Sequence, residues 1–123
     1  MEFNSNKPIY LQICDMICEK ILSGEYPEEG RIPSVREMVA EIGVNPNTIM
    51  RSYERLTAQD IIYNKRGIGY FISFQARRTI METHKTEFIN DQLPELIRKM
   101  KLLGITLEEF SSMWDGEMHG TAE

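Results

Sequence analysis

The chain is poor in cysteine, in histidine and in positive charge, and it contains no long apolar run. Its 123 residues include two cysteines, Cys14 and Cys18. Two cysteines cannot staple a disulfide scaffold, and a reducing cytosol is the expectation. They stand i,i+4 on one helix, yet the two imidazoles, His84 and His119, lie far away without ligand spacing. No metal and no cofactor is therefore expected, and the cysteines read as small buried hydrophobes. No segment reaches the ~18 apolar residues a membrane span requires, and no apolar export signal follows the first residues. The reading is a cytoplasmic protein with no membrane partner. HExxH, P-loop and GxSxG patterns and a Cys/His nucleophile pair are all missing, so no enzymatic activity is expected. Against 19 Asp+Glu stand 14 Lys+Arg, a formal net charge of -5, which counts against a polyanionic partner. What remains is a globular composition, 41% hydrophobic and 27% charged.

The charge is unevenly spread. Residues 1–30 carry a net -4, residues 31–75 a net +2, and residues 76–123 a net -3. Only the middle third is basic, and a local excess governs contact with a polyanion more than the total does.

After a polar lead-in over residues 1–7, Pro8 suits a first helical position, and Ile9, Ile13, Ile17 and Ile21 recur every fourth residue. This predicts an amphipathic helix over 8–23, stopped by Gly24, then a breaker-rich loop to Gly30. Ser34 and Glu37 form a capping box that opens a short helix through about Ile42, ended by Gly43. Asn45 as N-cap and Pro46 at the first position start a helix to about residue 59. Two short capped helices around a glycine-bearing turn are a helix-turn-helix. Ile61–Tyr63 and Tyr70–Ile72 are β-prone runs flanking a basic loop over 64–69, which completes a winged helix-turn-helix.

A recognition helix needs short polar side chains at its N-terminal end, where base edges lie. Asn45, Asn47 and Thr48 qualify as base readers, although capping and an ordinary first turn would use the same residues. Ser34, Arg36, Arg51, Lys65 and Arg66 suit phosphate contacts, and Gly67 and Gly69 would let the wing approach closely.

With these residues placed, residues 8–73 resemble the DNA-binding domain of GntR-type bacterial regulators. The resemblance rests on Pro33-Ser34-Val35-Arg36-Glu37, on Gly43-Val44-Asn45-Pro46-Asn47-Thr48, and on Arg66-Gly67-Ile68-Gly69-Tyr70-Phe71 in the wing. Two departures stand out: Ile32 replaces a usual leucine, and Asp60 a usual glycine. Both are expected to alter local geometry rather than binding. The resemblance implies a transcriptional repressor on double-stranded operator DNA.

Helical spacing resumes over 76–91. Pro94 breaks or kinks that helix or starts another, which runs to Gly104, and Thr106 caps a last short one, with fraying expected over 116–123. These 48 residues are too few to enclose a ligand, and no particular effector is implied. They resemble the short tail of the YtrA-like subgroup, which implies homodimerisation through Ile80, His84, Phe88, Leu96, Met100, Leu103, Phe110 and Trp114. Exposed apolar helix faces must bury against something, either a second copy or the same chain's winged helix. The expected fold is thus mainly α with a small β-hairpin, a winged helix-turn-helix over 1–75 and a helical dimerisation region over 76–123. A winged helix that contacts only other proteins is the alternative.

Overall fold

The computed structural model describes Phe3 and residues 6–120. Residues 1, 2, 4, 5 and 121–123, parts of the expected lead-in and fraying end, lie outside the described residues. The chain divides into two compact units, Met1–Thr83 and His84–Glu123.

In the first unit, helix α1 (Ile9–Leu22) buries Ile13, Ile17 and Ile21 together with Cys14 and Cys18. Ile9, the first residue of the expected stripe, is exposed instead. Helix α2 (Val35–Ile42) opens on the full capping box: Glu37 N–H donates to Ser34 Oγ at 3.1 Å, and Ser34 N–H donates to Glu37 Oε1 at 2.9 Å. Its end needs the left-handed backbone that Gly43 supplies at φ 69°. Helix α3 (Pro46–Ala58) starts from Asn45, whose Oδ1 accepts from Asn47 N–H at 2.8 Å. It buries Ile49, Ser52, Tyr53 and Leu56 against α1, α2 and the wing.

Strands β1 (Ile62–Lys65) and β2 (Gly69–Ile72) pair antiparallel, Ile62 opposite Ile72 and Lys65 opposite Gly69. The wing loop is therefore shorter than expected. Asn64, Lys65 and Gly69 belong to the ladder, and only Arg66-Gly67-Ile68 forms the tip. The free edge of β2 is covered by a segment read from the sequence as partly loop. Glu29 N–H donates to Ile72 O, Ile72 N–H to Gly30 O, and Ile32 N–H to Tyr70 O, at 2.7, 2.9 and 3.0 Å. β2 is thus the middle of three extended segments. Ile32 fills the core, and Asp60 sits at φ 60°, the left-handed backbone a glycine would adopt without strain.

Helix α4 (Ala76–Glu87) corrects one expectation. Ile80, assigned to the dimerisation face, is 0% exposed and packs with Ala76 into the core of the first unit. This core therefore reaches past residue 75. Beyond it, a π-helical turn (Phe88–Gln92) leads into helix α5 (Leu93–Leu102), where Leu93 N–H reaches back five residues to Phe88 O. Pro94 offers the reason: its ring displaces the carbonyl four residues earlier, and the ladder widens locally rather than breaking. Gly104, at φ 72°, ends this stretch. Thr106 Oγ1 then accepts from Glu109 N–H at 3.1 Å and caps helix α6, Leu107–Gly120. This helix runs through Gly120, into the stretch expected to fray.

Burial pushes the Cys18 thiol up to about 12, with Cys14, Asp15 and Glu19 adding in the same direction. Native protein at pH 8 should label with a thiol reagent about a hundredfold more slowly at Cys18 than unfolded protein in urea, because the thiolate is the reactive form. Equal rates would place this thiol in solvent. The thiol's contribution to stability is complete below the ordinary thiol range and is lost as pH rises from about 9 towards 12.

Candidate nucleic-acid interface

Three elements of the first unit carry the expected contacts, and polar bonds tie them together. Tyr53, fully buried on α3, donates its hydroxyl to Pro33 O at 2.6 Å, just before α2. Its ring meets Tyr70 of β2 edge-on at 4.9 Å. Burial holds the phenol well above its ordinary range, so it remains a donor. Arg31, which bridges to Phe71 of β2, also pairs with Glu37 of α2 at 3.3 Å. Glu37 is held below the usual carboxylate range by the Ser34 N–H bond, then by the Ser34 hydroxyl and Arg31. The turn, the recognition helix and the wing thus share one hydrogen-bonded frame.

On α3, Asn47 and Arg51 are exposed and Thr48 is half-buried. Asn45 commits its Oδ1 to capping, which leaves its amide NH2 to donate outward. Ser34 Oγ accepts from Glu37 N–H, and its hydroxyl is engaged with the Glu37 carboxylate. Arg36 and Arg66 are exposed and have no ion-pair partner among the described residues. At the wing, Lys65 lies on β1 rather than at the tip, its ammonium 4.7 Å from the Phe71 ring centroid. Gly67 takes φ 80° in the turn that Ile68 N–H closes onto Lys65 O at 2.9 Å. Gly69 has φ 142°, and a Cβ there would stand 3.0 Å from Arg31 Nε. A side chain at Gly69 would push Arg31 out of the frame.

The Bacterial regulatory proteins, gntR family, model matches residues 9–72, the winged helix-turn-helix itself. The chain belongs to the GntR family. It is similar to the HTH-type transcriptional regulator YhcF of Bacillus subtilis, 40% identical over 108 residues and 88% of each chain. The HTH-type transcriptional repressor YtrA of the same organism is 38% identical over 105 residues, 85% of this chain and 80% of that one. A solved GntR-family transcriptional regulator from Bacteroides thetaiotaomicron matches with a TM-score of 0.69 at 46% identity, covering 92% of this chain and 98% of the other. The AraR DNA-binding domain, solved in complex with operator ORR3, matches with a TM-score of 0.54 at 26% identity, covering 59% of this chain and 88% of that one. The fold and the family make this GntR chain a DNA-binding transcriptional regulator.

Three residues on or beside this interface escaped the sequence reading. Met50 is exposed on α3 between Asn47 and Arg51, Ile68 is 61% exposed on the wing tip, and the Tyr10 ring carries the Arg51 guanidinium. A lone aliphatic residue between Gly67 and Gly69 could have drawn attention to Ile68. No local pattern links Tyr10 to Arg51, 41 positions apart.

Proposed function

We propose that this GntR chain is a cytoplasmic, homodimeric repressor that binds a (pseudo)palindromic operator and carries out no chemical step of its own. Two copies join through the second unit. Each sets α3 in the major groove, with Asn45, Asn47 and Thr48 towards base edges, and the wing at the backbone or in the minor groove. Ser34, Arg36, Arg51, Lys65 and Arg66 hold phosphates.

One observation carries the dimer. No residue among 84–116 is buried, while Leu103 and Trp114 stay 76% and 59% exposed. Phe88 and Leu96 are exposed too, and His84, Met100 and Phe110 are half-buried. A unit that buries none of its described side chains covers its apolar faces with a partner, and C2 pairing is the commonest solution. The repressor reading leans on the likeness to YtrA.

Footprinting on the DNA upstream of the gene tests the reading. Two protected half-sites related by a dyad are expected, about 34–36 Å or a multiple apart. A single asymmetric footprint would contradict it. Asn47→Ala should narrow the preference for operator over random duplex about tenfold, with the salt slope unchanged. An equal loss on both duplexes would remove Asn47 from base readout.

A further inference from the structure

The recognition helix is held against the first turn of α1 by a buried polar contact. Ser52, fully buried on α3, directs its hydroxyl at Tyr10 O at 2.7 Å, with Thr48 O at 3.2 Å as the competing acceptor. Cys14 Sγ approaches Ser52 O at 3.5 Å from the same helix. The Tyr10 backbone is thereby fixed relative to α3. Its ring then lies under the Arg51 guanidinium, 3.9 Å from carbon to ring centroid. Arg51 has no carboxylate partner among the described residues, so the ring face is what orders it. The pair lines one wall of a groove of about 360 Å³, which Asn47, Thr48, Pro8 and Ile9 complete.

We propose that Tyr10 is a positioning residue for operator binding: its ring holds Arg51 ready to receive a backbone phosphate where α1 meets the recognition helix. This rests on the DNA-binding mode proposed above and adds a contribution from α1. An arginine on a flexible stem loses rotamer freedom on binding, and one already stacked on an aromatic face has surrendered it beforehand. The ring itself need not touch DNA. The Tyr10 hydroxyl has no partner among the described residues, so the ring, not the phenol, is the working part.

The test is a fluorescence-anisotropy titration of the full chain against the duplex footprinted upstream of its gene, over a salt series. Wild type, Y10F, Y10L, R51A, R51K and Y10L/R51A are compared, with thermal melts as the folding control. Y10F should bind within twofold of wild type, because it keeps the ring face. Y10L should lose about five- to tenfold and part of the salt slope, and Y10L/R51A should bind no more weakly than R51A alone. Wild-type affinity in Y10L, additive losses in the double variant, or a Y10F loss equal to that of Y10L would each overturn the proposal. Should Y10L fail to fold, R51K decides: it keeps the charge and loses the planar stack, so weaker binding supports the role and wild-type binding overturns it. A wild-type chain with no salt-dependent affinity for any duplex would overturn the DNA-binding mode and this proposal together. Wild-type binding with an indifferent Y10L would sink the proposal alone.

Discussion

A chain ending at Gln75 should fail to fold stably, whereas one ending at Thr83 should melt cooperatively and run as a monomer. The eight residues between them include Ala76 and Ile80, both 0% exposed in the core of the first unit. Losing a buried isoleucine costs about 2–5 kcal/mol before its unsupported neighbours are considered. That is a large part of the ~5–15 kcal/mol that holds a domain together. Circular-dichroism melts and light scattering after size exclusion separate the two chains. Equal melting temperatures would show that α4 adds nothing to the reading head. A dimeric 1–83 would move the interface out of the second unit. The monomer should also bind the operator about 10²–10⁴-fold more weakly, because its two heads no longer arrive as one ligand.

The second large effect is electrostatic. Arg36 and Arg66 belong to different elements and share no partner, so the double variant R36A/R66A should lose the sum of two separate contacts. At roughly tenfold each for a charge-assisted bond, the loss is about a hundredfold. It should fall equally on operator and random DNA. The slope of log K against log salt should shrink by about 1.8, two phosphates at ~0.9 each. With a net charge of -5, the chain has little general attraction to substitute for these contacts. Wild-type affinity and slope in the double variant would remove both residues from the interface.

What the sequence made legible was mostly local. The Ser34–Glu37 box, the Asn45–Pro46 start and the Gly43 stop each depend on residues within four positions, and each appears in the structure. The wing was recognisable from its β-prone runs, but its third segment was not. Residues 29–32 carry no alternating pattern, and their bonds go to strand residues about 40 positions later. Ile80 shows a different limit. Helical spacing identifies an apolar face without saying which body that face meets, and this one meets the winged helix's own core. Tyr10 lies beyond local reasoning for the same cause, since the contact that gives it a role comes from a helix folded back from far along the chain.

The wide turn at Phe88–Gln92 has a consequence for register. Such a turn acts as a one-residue insertion in an otherwise continuous helix, and one residue is about 100° of rotation. Side chains before Phe88 and after Leu93 are therefore out of phase with any stripe drawn at a constant 3.6-residue period. Phe88 in the turn and Leu96 beyond it, eight residues apart, would stand about 80° apart at a constant period, and absorbing the extra residue brings them to within about 20°, where both line one groove with Glu95 and Lys99. The wide turn thus keeps the apolar side chains on either side of Pro94 on one face of the segment instead of letting them drift apart.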